Sequence, residues 1–218
     1  MTAVKRACPW AAALAIAFSV VAVVVGQLEP DPHLNPLNVT VSEYAVADRG
    51  GVTEWGMAIL GLGSFALVAG LRMARAPIAG IPEKLLMVWS AALVVAAVVP
   101  TTPVGMDMTL TALIHRFVSV AAFVSLPVAA ALLVPRFRAD ERWRPVARTV
   151  EWLALAGGLG IAAITYVALP GDRVLIGLVE RILLGAEVAL LTVLAGWLVR
   201  LTWNKSVQVL TYHKFLTN

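Results

Sequence analysis

Six apolar runs, each close to the roughly 20 residues a helix needs to cross a hydrocarbon core about 30 Å thick, divide the chain into spans and short gaps. They predict helices over Cys8 to Leu28, Glu54 to Met73, Leu85 to Val99, Leu110 to Val134, Val146 to Leu169 and Val174 to Leu201, the third being the shortest. A strand of a membrane barrel alternates polar and apolar residues over about ten positions, whereas AAALAIAFSVVAVVV in the first run is apolar on every side. The expected fold class is therefore all-α, a polytopic integral membrane bundle of six transmembrane helices occupying residues 1–201, with a tail over 202–218 that lies at the membrane interface or stays irregular.

Composition agrees with lipid as the main solvent. Hydrophobic residues make up 60% of the chain and charged residues 14%, with a mean hydropathy of +0.86, where soluble domains carry about a quarter charged residues. The spans use more than half of the 218 residues, which leaves no room for a soluble catalytic domain of ordinary size.

Charge then sets the orientation. Of the 17 basic residues, 13 fall before the first span, in the second-to-third and fourth-to-fifth gaps, or after the sixth span, with Arg136, Arg138, Arg142, Arg144 and Arg148 the densest group. The other gaps hold only Arg49 and Arg173 and carry the acids Glu29, Asp31, Glu43, Asp48, Asp107 and Asp172. The positive-inside rule places both termini in the cytoplasm and the acidic loops outside. A net charge of +4 is thus accounted for by topology, and no nucleic-acid partner is expected. The first span is read as a retained anchor, because it is longer than a signal-peptide core and ends in GQLEP without a cleavage signature.

Small residues mark packing faces. Gly56, Gly63 and Gly70 recur every seven positions in the second span, and Gly157, Gly158 and Gly160 cluster in the fifth. Close backbone approach replaces the hydrophobic drive that is missing between helices in lipid. Cys8 is the only cysteine and the three histidines lie far apart in the sequence, so no disulfide, metal site or haem is expected and no cofactor is called for.

Candidate chemistry rests on the ionisable residues inside the spans: His115 and Arg116 in the fourth, Glu180, Arg181 and Glu187 in the sixth, and Glu54 at the outer start of the second. Each costs at least about 2.5–3.5 kcal/mol at membrane depth and is normally paired or turned toward water. His115 follows Met108 by seven residues and Glu180 follows Arg173 by seven. At 1.5 Å per residue both lie roughly 10 Å below the outer surface, on helices that enter from the same side. The expected arrangement is an outward-opening polar cluster in which Glu180 faces His115 or Arg116, Arg181 faces Glu54 or Asp107, and Tyr166 supplies a hydroxyl. The plain structural alternative is an inter-helix ion-pair network that only fixes packing.

The segments Ser42-Glu43-Tyr44-Ala45, Val98-Val99-Pro100-Thr101-Thr102-Pro103 with Leu113-Ile114-His115, and Gly177-Leu178-Val179-Glu180-Arg181-Ile182 resemble the six-helix prokaryotic membrane family catalogued as domain of unknown function 998. The likeness runs over roughly residues 10 to 200. It implies the six-helix fold, a prokaryotic plasma membrane and a polar outer-facing site, and it names no substrate. The family pattern after the third helix often reads Pro-Thr-Asp-Pro. Thr102 stands where that acid is expected, and Asp107 would have to substitute for it.

Two function classes follow. The leading expectation is a non-catalytic protein that binds membrane lipid or another small amphiphile in an outward-facing pocket lined by Glu54, His115, Arg116, Tyr166, Glu180 and Arg181. It would act alone or as an accessory subunit beside protein partners in a larger membrane complex. The alternative is a membrane-embedded enzyme acting on lipid at the outer leaflet, with His115 or Glu43 as acid or base.

Overall fold

In the computed structural model the backbone is described for residues 3–27, 34–47, 51–103 and 105–216, and side chains for residues 7–27, 34–46, 51–103 and 105–203. The outer-loop residues Glu29, Asp31, His33, Asp48 and Arg49, and the side chains of Lys5, Arg6, Lys205, His213 and Lys214, lie outside the described set.

Seven helices appear in the order α1 (Ala3–Gly26), α2 (Val41–Ala47), α3 (Val52–Met73), α4 (Ile81–Val98), α5 (Leu110–Ala139), α6 (Arg144–Ala168) and α7 (Ile176–Leu216), with no strand among the described residues. All but α2 are long and apolar enough to cross a membrane. The six-helix, all-α reading therefore holds, and the protein is a multi-pass membrane protein.

The long helices form a closed ring in chain order, α1–α3–α4–α5–α6–α7, completed by α1 against α7. Short turns explain why each helix lies beside its successor. Leu67, Leu71, Trp89, Leu126, Leu133 and Leu194 are among the residues that fill the core between them. Gly63 shows how closely the ring is drawn: a Cβ added there would collide with the Ala15 side chain of α1, and one at Gly157 would lie 2.7 Å from Pro127 of α5. The seven-residue glycine stripe of α3 thus faces mainly α1, while Gly70 meets α7 at Leu198.

Several helix ends differ from their predicted positions, for local reasons. α4 begins at Ile81, four residues before the expected Leu85, because Gly80 turns the chain with φ 86° and Pro82 is preset for the first turn. α5 continues past Val134 through Pro135 to Ala139. α7 runs without a break across residue 201 to Leu216. α2 was not predicted as a helix, although its start carries a capping box: the Glu43 N–H donates to Thr40 Oγ1 (3.2 Å) and the Thr40 N–H donates to Glu43 Oε2 (2.9 Å).

At the end of the bundle with the α3–α4 and α5–α6 turns, Arg142 is the fastener. It donates to the carbonyls of Ala74 (3.2 Å) and Arg75 (2.9 Å) and to Asp140 (3.1 Å), while its own carbonyl accepts from Trp197 Nε1 (2.9 Å). Arg75 has φ 54°, a left-handed conformation that its carbonyl's bond to Arg142 helps to hold. Trp143 is fully buried and stacks on Phe137 with ring centroids 4.9 Å apart. The basic α5–α6 turn is therefore a structural joint between three parts of the ring.

Candidate site: two joined cavities at the α2 end of the bundle

At the opposite end, the segment from Leu34 to Ala47, here called the strap, is bound down onto α7. Glu180 and Arg181, consecutive on α7, hold its two polarities. Glu180 Oε2 accepts the N–H of Val41 (2.6 Å), one of the free donors at the start of α2. Arg181 Nη1 donates to the carbonyls of Pro36 (2.6 Å), Val39 (2.9 Å) and Gly177 (2.9 Å), and the same guanidinium donates through Nε and Nη2 to Gln27 Oε1 of the α1 terminus. Gly177 makes this possible, because a Cβ there would occupy the space of the Val39 and Pro36 carbonyls. Further fasteners are Leu178 N–H to the Leu37 carbonyl (3.1 Å), Leu175 N–H to Asn38 Oδ1 (2.8 Å), and the ion pair of Arg173 with Glu43 (2.6 Å). The α6–α7 turn carries positive φ at Asp172 (49°), Arg173 (61°) and Leu175 (62°), and its bonds to the strap help to maintain these costly conformations.

Beneath the strap lie two cavities. The central one, about 690 Å³, sits inside the ring and is bounded by α1, α3, α4, α5 and α7. Its wall is mostly aliphatic and aromatic, including Val20, Leu60, Trp89, Leu93, Leu184 and Val188. Along α7 it extends from Glu180 to Val193, about 20 Å of helix at 1.5 Å per residue. The second, about 660 Å³, opens between α5, α6, the α4–α5 loop and the strap, and it is far more polar, with Thr40, Thr102, His115, Arg116, Thr165 and Arg173 in its wall. Ser42, Ser119, Phe123 and Glu180 line both cavities, so the two voids share a partition.

The charged residues of this partition and mouth are unevenly satisfied. His115 is 5% exposed, and its Nδ1 lies 2.6 Å from the Val99 carbonyl at the end of α4. A carbonyl only accepts, so Nδ1 carries the proton of this bond. Nε2, on the far side of the ring, is buried without a partner among the described residues. Arg116 is exposed, lines the mouth, and has no hydrogen bond or ion pair among the described residues. Glu43 and Glu180, by contrast, are engaged by Arg173, Thr40 and the Val41 N–H.

The expected site residues are therefore divided. His115, Arg116 and Glu180 line one cavity, and Arg181 lines the adjoining one. The expected pairings are corrected: Glu180 binds a backbone N–H rather than His115 or Arg116, and Arg181 binds Gln27 and strap carbonyls rather than Glu54 or Asp107. Tyr166 is 66% exposed on the outside of α6 and lines neither cavity. Glu54 also lines neither; its Oε2 is buried near Gly51 without a partner among the described residues. Asp107 is exposed and lines neither cavity. Thr102 lines the polar cavity and accepts the N–H of Thr109 (3.3 Å), whose hydroxyl caps α5 by accepting from Ala112 N–H. No group of metal-ligating side chains is found among the described residues. Gln27, Ser119 and Phe123 went unnoticed in the sequence, because uncharged residues at helix ends or inside an apolar run carry no signal without the rotation of the helix.

A family model described as protein of unknown function, DUF998, matches residues 12–197, nearly the whole bundle. The chain belongs to the DUF998 family. The match covers all six membrane-crossing helices and both cavities, so in this DUF998 protein the strap and the ring below it fall within one family unit. No curated protein and no solved structure matches the chain.

Proposed function

We propose that this DUF998 protein binds an amphiphile, with the polar head in the cavity at His115 and Arg116 and the apolar chain in the central cavity. The observation that carries the reading is the shared partition of Ser42, Ser119, Phe123 and Glu180 between one polar and one apolar void. Each is of the size usual for small-molecule sites, about 300–1,000 Å³. The central cavity follows α7 for about 20 Å, longer than the roughly 15 Å hydrocarbon depth of a single leaflet, so an extended acyl chain fits its length. In this reading the strap end faces outward in a prokaryotic plasma membrane, and the distribution of basic residues supports that orientation. The protein acts as a lipid-binding unit, alone or as an accessory subunit of a membrane complex. Native mass spectrometry of protein extracted in mild detergent tests this. A retained lipid mass at unit stoichiometry is expected, and a protein that keeps its fold yet carries no amphiphile contradicts the reading.

A second reading, an enzyme acting on a lipid headgroup, has one observation in its favour. His115 is anchored through Nδ1 and has an unpartnered Nε2, the arrangement a general base uses. Turnover of a labelled lipid extract that is lost in His115→Ala and kept in Arg72→Ala would favour it over simple binding.

A further inference from the structure

The charged groups of the polar cavity are equal in number and unequally partnered, and the unpartnered one names a ligand class. Four ionisable groups besides His115 line it: Arg116 on α5, Glu180 on α7, Glu43 on α2 and Arg173 in the α6–α7 turn. Glu43 and Arg173 neutralise one another at 2.6 Å. Glu180 receives the Val41 N–H and adjoins Arg181 in sequence. Arg116 alone has no counterpart among the described residues. A cationic headgroup would add charge next to this arginine and find both acids already engaged. An anionic one would supply the partner that the protein omits, in the two-point geometry that a guanidinium offers to phosphate oxygens.

His115 adds a second contact. With its Nδ1 proton committed to Val99, the neutral ring presents a lone pair at Nε2, and the doubly protonated ring presents an N–H there. An anion seated at Arg116 is served by the second form. The remaining wall supplies neutral donors, Thr102 among them.

We propose that the polar cavity is an anion subsite, in which Arg116 and the Nε2 of His115 take the phosphate-type headgroup of an anionic lipid. The assignment rests on the amphiphile reading above and specifies its head.

The test uses the purified full-length protein and three probes: oleoyl lysophosphatidylglycerol, whose phosphodiester does not titrate between pH 5.5 and 8, oleoyl monoacylglycerol with the same chain and no charge, and inorganic phosphate. Binding is read by native mass spectrometry titration. The phosphodiester probe is expected to bind roughly tenfold or more tightly than the glyceride, as one charge-assisted contact allows. Arg116→Gln, at an exposed residue with no protein partner among the described residues, should erase the preference for the phosphodiester. His115→Leu should weaken phosphodiester binding. Equal binding of both lipids with no effect of Arg116→Gln would overturn the anion subsite while leaving the amphiphile reading intact. Absence of binding by either lipid would overturn both. Inorganic phosphate binding as tightly as the phosphodiester would overturn the lipid headgroup in favour of a free anion.

Discussion

Glu180 and Arg181 are adjacent on α7, and each finds its principal partners in the backbone of the strap. The carboxylate takes the Val41 N–H, and the guanidinium takes the Pro36 and Val39 carbonyls. Two opposite charges at membrane depth are thereby satisfied by the two polarities of one short segment, and the cover of both cavities depends on them.

Arg181→Met should release the strap while leaving the ring intact. It removes donors to three carbonyls and to Gln27, each charge-assisted bond being worth about 1.5–3 kcal/mol before compensation by water. Amide hydrogen exchange over residues 35–47 is expected to accelerate by at least about tenfold, with little change over α4 and α5. Gly177→Val should produce the same local loosening by displacing the Val39 and Pro36 carbonyls. Unchanged protection of the strap in both variants would show that other contacts hold it.

Gly63→Leu should destabilise the whole bundle. The added side chain would enter the space of Ala15 on α1, and overpacking of this kind typically costs about 1–3 kcal/mol or more. Gly158→Leu is the matched control, because a Cβ there meets nothing within 4 Å. Thermal unfolding in detergent is expected to shift downward for the first and stay within error for the second.

Glu187 is 1% exposed, both of its carboxyl oxygens lack a partner, and it lines neither cavity. An unsatisfied polar group in such a place costs about 1–3 kcal/mol by protein-based measures, so Glu187→Leu should raise the melting temperature. A clear loss of stability would mean that the carboxyl has a partner in the membrane-bound protein.

Asp140 lies in the α5–α6 turn, outside the membrane-crossing segments. The Arg142 side chain, hydrogen-bonded to it, holds its carboxyl below the ordinary aspartate range. A lowered folded-state pKa contributes stability that is present above the unfolded value and is lost as the pH falls through the folded one, here below about pH 4. Asp140 is partly exposed, so solvent screening keeps the effect below about 1 kcal/mol. Asp140→Asn should therefore lower the melting temperature slightly at pH 7, and by less as the pH falls below about 4. Arg142→Ala should cost more, because it also abandons the carbonyls of Ala74 and Arg75.

What was legible in the sequence followed from insertion energetics. Apolar length set the six crossings, and the seven-residue glycine stripe marked a face that packs closely, as Gly63 against Ala15 illustrates. Depth counting brought His115 and Glu180 to one cavity. Helix rotation was not legible. It turned Tyr166 outward and left Glu54 out of both cavities. Nor was the choice of a backbone partner, since the Val41 N–H and the Val39 carbonyl have no side-chain signature. The capping box of Thr40 and Glu43 was readable but sat in a stretch too short and polar to register as a span.

Gly185 offers the most direct test of the two-cavity account. It lines the central cavity, and a Cβ at this position meets nothing within 4 Å, so a bulky side chain there can enter empty space without displacing the ring. Native mass spectrometry of wild-type protein and Gly185→Phe, extracted side by side, should show a bound amphiphile on the first and none on the second at equal or higher melting temperature. Equal retention of the amphiphile by a folded Gly185→Phe would contradict the account, because the chain would then lie somewhere other than the centre of the ring.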